Sequence, residues 1–166
     1  MLWLIECIAT WVVDVERALF GRSRMEPADE EARARIDEEL EAWRQGDCVL
    51  AEGWFVYRID PDEPLTSGAC DAASEGVENA EDAVLGLMVA TQTCDLVRRC
   101  EDRPFVEVCP LVQVDEKVMR EIERGRRPNY AHVPGVAAQL LVADLDRVMT
   151  VEKAVVTGWK RVEGCT

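Results

Sequence analysis

Apolar and polar positions follow two rhythms along this chain. Over residues 27–45, Ala32, Ile36, Leu40 and Trp43 recur at helical spacing and predict a helix with one apolar stripe. Pro27 suits its first turn, Asp29, Glu30 and Glu31 place negative charge near its positive end, and Gly46 stops it. The apolar residues of 1–20 also fall at helical spacing and predict an amphipathic helix. Shorter runs follow. Residues 47–51 and 54–59 read as strands separated at Gly53. Residues 84–91 and 105–112 are rich in Val and Leu and too short for long helices, so they read as buried strands. Pro110 lacks an N–H and predicts an edge or a bulge in the second of these. Residues 114–124 return to the helical rhythm, with Asp115 as cap, Val118, Met119 and Ile122 as the buried side, and Gly125 as the stop. Residues 136–145 read as a strand, and 151–156 as a short closing helix or strand.

Two stretches lack either rhythm. Residues 60–82 hold Pro61, Pro64, Gly68 and Gly76 and read as a loop, long enough to be mobile or functional. Residues 126–135 read as a second loop. The expected organisation is an N-terminal helical segment over 1–45 and a β-barrel domain over 46–166. The fold class is α+β, around a small, mainly antiparallel sheet or barrel with one or two N-terminal helices and one inserted helix.

Composition adds one unusual number. The chain is 48% hydrophobic and 31% charged, as ordinary globular proteins are, yet its net charge is −14. Residues 26–41 hold eight carboxylates against two Arg, and residues 60–82 hold eight with no Lys or Arg. Such a surface repels nucleic-acid phosphates, so binding them needs a local basic patch. The acidic runs read as solvated faces, or as a surface for a basic protein partner. Residues 1–20 carry Glu6, Asp14, Glu16 and Arg17, so they make a poor membrane span and a poor signal peptide. They read as a docking helix, or as a non-native leader before a start at Met25. No membrane association is expected. Seven cysteines without a CxxC, beside a single His132, point to reduced thiols in a cytoplasmic protein with no metal and no cofactor.

Candidate chemistry concentrates at Gln92-Thr93-Cys94-Asp95, where the first buried run ends. Polar groups at a strand end often build a site. A thiol becomes nucleophilic beside positive charge or a histidine, so Cys94, Asp95 and His132 form the candidate catalytic set, with Gln92 and Thr93 lining it. The alternative is a structural turn closed by the side chains of Thr93 and Asp95. The one concentrated basic segment runs from Lys117 through Arg126 and Arg127 to Tyr130 and His132. Arg beside an aromatic ring suits a phosphate with a stacked base. Its alternative is a solvated helix face with Arg120–Glu116 and Lys117–Glu121 pairs.

Three blocks in order, LGLMVA (85–90), PFVEVCPL (104–111) and LDRVMTVEK (145–153), resemble the MazF/PemK-type toxins of bacterial toxin–antitoxin systems. The resemblance covers residues 46–156 and implies an SH3-like β-barrel that binds or cleaves RNA. The chain departs from it in its leading helices, its acidic early loop and the absence of a hydroxyl directly after Pro110. The 92–95 corner has no counterpart there and resembles a Q-x-C-D corner of uncharacterised bacterial proteins. The leading expectation is a toxin-like or phage-defence-associated accessory module that binds a nucleotide, RNA or protein. The alternatives are an RNA-cleaving toxin and a non-enzymatic acidic interaction protein.

Overall fold

The structure, a computed structural model, describes residues 27–50 and 53–164. The helix expected over 1–20, together with Cys7 and Cys165, lies outside the described residues. In chain order the elements are α1 (Glu30–Leu40), β1 (Cys48–Val49), β2 (Trp54–Arg58), α2 (Ser67–Ser74), β3 (Asn79–Ala83), β4 (Leu87–Val89), α3 (Thr93–Leu96), β5 (Phe105–Gln113), α4 (Glu116–Glu123), β6 (Tyr130–His132), α5 (Pro134–Ala137), β7 (Leu141–Asp144), β8 (Met149–Glu152) and α6 (Lys153–Thr157). The fold is α+β with antiparallel strand pairing throughout these elements.

The main sheet runs β1-β4-β5-β7-β6, with β8 also paired to β5, and β2 and β3 form a separate hairpin. Strand β5 is the hub. Its first half pairs with β8 (Phe105↔Glu152 to Val108↔Met149) and its last residues pair with β7 (Leu111↔Ala143 to Gln113↔Leu141). On its other side it pairs with β4. Even-numbered Val106 and Val108 enter one core with Leu40, Trp43, Leu87 and Val151. Odd-numbered Cys109 and Leu111 enter a second core with Met88, Val133, Val136 and Leu141. Both faces of β5 are therefore used, as the period of two dictates.

Pro110 was expected at an edge or bulge, yet it lies inside this central strand, paired to Leu87. The geometry explains why it is tolerated. The Glu107 carbonyl accepts from Ala90 and the Leu111 N–H donates to Gly86, so odd residues hydrogen-bond toward β4. Pro110 thus faces the opposite side, in the gap where β8 ends and β7 begins, and no ladder bond is lost there. Gly86, at φ 155°, makes the matching bend between β3 and β4, and a Cβ there would collide with the Val49 carbonyl oxygen.

Several sequence expectations hold. Asp115 caps α4 by accepting from Val118 at 2.8 Å, Met119 and Ile122 are buried, and Gly125 (φ 69°) ends the helix. Beyond these expectations, Trp159 packs edge-on against Trp43 at 6.4 Å. Helix α1 is shorter than the stretch 27–45, but Leu40 and Trp43 anchor it in the first core.

Others are corrected. The stretch 60–82 is not a structureless loop. Thr66 caps α2 by accepting from Ala69 at 3.1 Å, and β3 pairs along all of β2. These elements escape a hydrophobic reading because α2 buries only Ala69 and Ala72, and β3 only Ala80. The second loop contains β6, which bonds to β7. Residues 136–145 do not make one strand. Pro134 starts α5, Leu140 adopts φ 59°, and β7 begins only at Leu141. The described strands do not close into a barrel: the sheet ends at β6 on one side and at β1, bridged only to Val162, on the other.

Burial pushes the Cys109 thiol up to about 11 from 9.0, with Asp144 and then Glu107 adding to the effect. The unfolded thiol ionises from about pH 9, so the stability contributed by the neutral buried thiol is complete below pH 9 and is lost as pH rises to about 11. Cys109→Ala should therefore lose less stability than the parent between pH 9 and 11. Urea melts at those two pH values check this, and equal losses would contradict it.

Candidate functional site

The 92–95 block forms one turn of helix, α3, directly after β4. Its hydroxyl and backbone groups brace neighbouring segments. Thr93 Oγ1 accepts from the Gln45 N–H at 3.1 Å, and the Gln45 side-chain amide donates to the Ala90 carbonyl at 3.0 Å. Thr91 Oγ1 accepts from the Glu107 N–H at 2.7 Å. Asp95 pairs with Arg98 at 3.2 Å, one helical turn on. Leu96 is fully buried and fixes the turn in the first core. Cys94 is exposed, and its Sγ donates to Gln92 Oε1 at 3.7 Å.

This turn forms one wall of a cleft of about 530 Å³. The opposite wall is the first half of β5, and the cleft is lined by Gln92, Asp95, Arg103, Phe105, Glu107 and Thr150 among others. Its size falls within the usual range for small-ligand sites. Phe105 is 57% exposed although it begins the central strand. Phe105 and Glu107 share the odd-numbered face of β5, which the second core covers only from Cys109 onward. Among the described residues neither Arg103 nor the Glu107 carboxylate has an ion-pair partner. An open aromatic ring thus shares one concavity with a cation and a carboxylate that are unpaired among the described residues.

The segment that leads into the cleft is held by a buried lysine. Lys153 opens α6 and is only 1% exposed. Its Nζ donates to the Arg98 carbonyl, and its backbone N–H donates to the Pro104 carbonyl at 2.9 Å. Burial pushes the Lys153 amine down, opposed by Cys100, Asp37 and Asp95. Asp37, from α1, accepts from the Cys100 N–H at 2.8 Å. Burial, followed by a hydrogen bond with Asp37, pushes the Cys100 thiol up to about 11. Lys153 thus ties α6 to residues 98–104, and Asp37 ties the same segment to α1. The hydrogen-bonded burial of Lys153 reads as support rather than as an exposed nucleophile.

The basic segment lies elsewhere. Arg127 pairs with Glu121 at 2.8 Å, His132 Nε2 lies 3.7 Å from Glu123, and Arg120 lies 3.5 Å from Glu116. His132 and Tyr130 belong to β6, which reaches β5 only through β7, at residues 111–113. Glu107 and Gln113 are separated by roughly 20 Å of strand. Gln92 and Asp95 line the cleft, whereas Arg126, Arg127, Tyr130 and His132 are not among its lining residues. The structure thus brings Gln92, Thr93, Cys94 and Asp95 together and does not bring His132 to them.

Sequence reasoning missed Arg103, Phe105, Glu107 and Lys153. A signal existed for two of them. Phe105 and Glu107 alternate with Val106 and Val108, so a Phe shares the polar face of the strand. Lys153 falls in phase with buried Met149 and Val151, which a sequence reading takes as the end of the strand. Among the described residues no cluster of His, Cys, Asp or Glu is arranged to hold a metal ion, and no helix is long and apolar enough to cross a membrane. No family model, curated protein or solved structure matches the chain.

Lys153→Ala removes the brace and opens a cavity, and should lower stability by about 3 kcal/mol. Lys153→Met keeps the aliphatic stem and should lose less. Urea unfolding checks both, and an alanine variant as stable as the parent would show that the brace is dispensable.

Proposed function

We propose that this chain is a toxin-like or phage-defence-associated accessory module whose cleft binds a nucleotide. Phe105 supplies a stacking face for the base, Arg103 supplies a charge for the phosphate, and Gln92 and Thr150 supply hydrogen-bonding groups. The observation that carries this reading is the exposed Phe105 ring in the same cleft as Arg103, which has no ion-pair partner among the described residues. Base–aromatic stacking contributes roughly 1–3 kcal/mol per base. A net charge of −14 repels phosphate at longer range, so a single nucleotide fits this surface better than a long RNA.

The basic segment over 117–132 is the weaker candidate, because Arg127 and Arg120 are already paired with carboxylates. RNA cleavage needs an acid and a base at one point. Cys94 and His132 are held on different elements, which favours binding over cleavage. The finer architecture consistent with the resemblance to MazF/PemK-type toxins is a partly open SH3-like barrel, in which β5 turns the corner between two sheets. A cytoplasmic location and a protein partner for the acidic face of α1 complete this reading.

Equilibrium dialysis against each of the four ribonucleoside monophosphates tests it. At least one should bind, and Phe105→Ala and Arg103→Ala should each weaken it about tenfold with unchanged melting. Failure of all four to bind at millimolar concentration would overturn the proposal. Bulk RNA should stay intact in the presence of the pure protein.

A further inference from the structure

We infer that the base selected by this cleft is guanine, read by the carboxylate of Glu107. This inference rests on the nucleotide reading above and names the base. Two carboxylates line the cleft, Asp95 and Glu107. Asp95 is engaged by Arg98 at 3.2 Å. Glu107 has an exposed side chain with no ion-pair or hydrogen-bond partner among the described residues, since its recorded bonds are all through its backbone. The backbone bonds to Ala90 and Thr91 fix its position on the strand while leaving the carboxylate unsatisfied.

Placement fits a stacked purine. Phe105 and Glu107 are two residues apart on one strand face, so their side chains emerge about 7 Å apart. A base lying on the Phe105 ring presents its edge toward Glu107. Thr150 sits directly across from Glu107 on β8 and brings a hydroxyl beside the carboxylate, and it too lines the cleft. Arg103 precedes the strand and lines the same cleft, so it can meet the phosphate of such a base.

The chemistry then selects among bases. An ionised carboxylate only accepts hydrogen bonds, and it accepts two in parallel. The Watson–Crick edge of guanine offers two adjacent donors, N1–H and the N2 amino group. Adenine and cytosine each offer one donor beside an acceptor nitrogen, which faces the second carboxylate oxygen unfavourably. Uracil offers one N–H between two carbonyl oxygens. The Thr150 hydroxyl can donate to guanine O6, next to N1–H. The carboxylate therefore binds guanine through two bonds and the other bases through at most one.

Competition binding with GMP, IMP, AMP, CMP and UMP, on the parent and on Glu107→Gln and Phe105→Ala, tests this. GMP should bind 10- to 100-fold tighter than the other natural nucleotides, the range expected for one bidentate pair. IMP, which lacks only the N2 amino group, should fall well below GMP. Glu107→Gln should bring GMP down to the level of AMP without lowering the melting temperature, because its side chain is solvent-exposed. Phe105→Ala should weaken every nucleotide alike. Equal affinities across the five nucleotides, all weakened by Phe105→Ala, would overturn guanine selection and leave the nucleotide reading intact. A GMP preference that survives in Glu107→Gln would remove Glu107 from the role. If none of the five binds, the nucleotide reading itself fails, and this inference with it.

Discussion

Everything in this fold leans on one strand with two occupied faces. Val106 and Val108 of β5 enter a core under α1, α6 and β8, and Cys109 and Leu111 enter a second core under β7 and α5. A strand used this way cannot slip by one residue, because a slip would exchange both faces at once. It also cannot bond to one neighbour along its full length on the side shared by β8 and β7. Pro110 sits where the two meet, at a position that asks for no N–H bond on that side. The second core is shorter than the strand. It covers Cys109 and Leu111 and stops before Glu107 and Phe105. The cleft is the part of β5 that none of the described residues covers.

That uncovered end is held rigidly from behind. Lys153 joins α6 to the 98–104 segment, Asp37 joins that segment to α1, and α3 closes the side of the cleft through Thr93 and Leu96. A preorganised wall lets a few polar groups select a ligand without the cost of ordering them. Charge acts the other way. An average surface this acidic disfavours a phosphate, so in the proposed nucleotide reading the affinity comes from the base, through stacking and edge contacts. Arg103 offsets only part of the long-range repulsion. The same logic separates the cleft from the 117–132 segment, where Arg120 and Arg127 already face Glu116 and Glu121 and have less charge left for a ligand.

The strong periodic elements were legible in the sequence. Strand β5 and helix α4 match their expected bounds within a few residues, because Val and Ile at fixed spacing leave few alternatives. The α2 and β3 elements were not legible, since their buried positions are alanines and their exposed ones are acidic. The stretch 136–145 misled because α5, a turn and β7 are all apolar, and only Pro134 and Leu140 mark the breaks. At the site, Gln92 and Asp95 were legible as a polar block at a strand end. Phe105 and Glu107 were hidden inside a strand that reads as buried, because sequence alone does not show where a second core ends. The contact imagined between His132 and Cys94 was a matter of strand order, and strand order is set by pairing across the sheet.

The central claim is that the open end of β5 is where this protein meets its ligand. Backbone amide chemical shifts of isotope-labelled protein, followed during titration with GMP, test it most directly. The account predicts saturable shifts at Gln92, Arg103, Phe105, Glu107 and Thr150, with residues 126–132 unmoved. Shifts confined to Arg126, Arg127, Tyr130 and His132, with the β5 end silent, would contradict it.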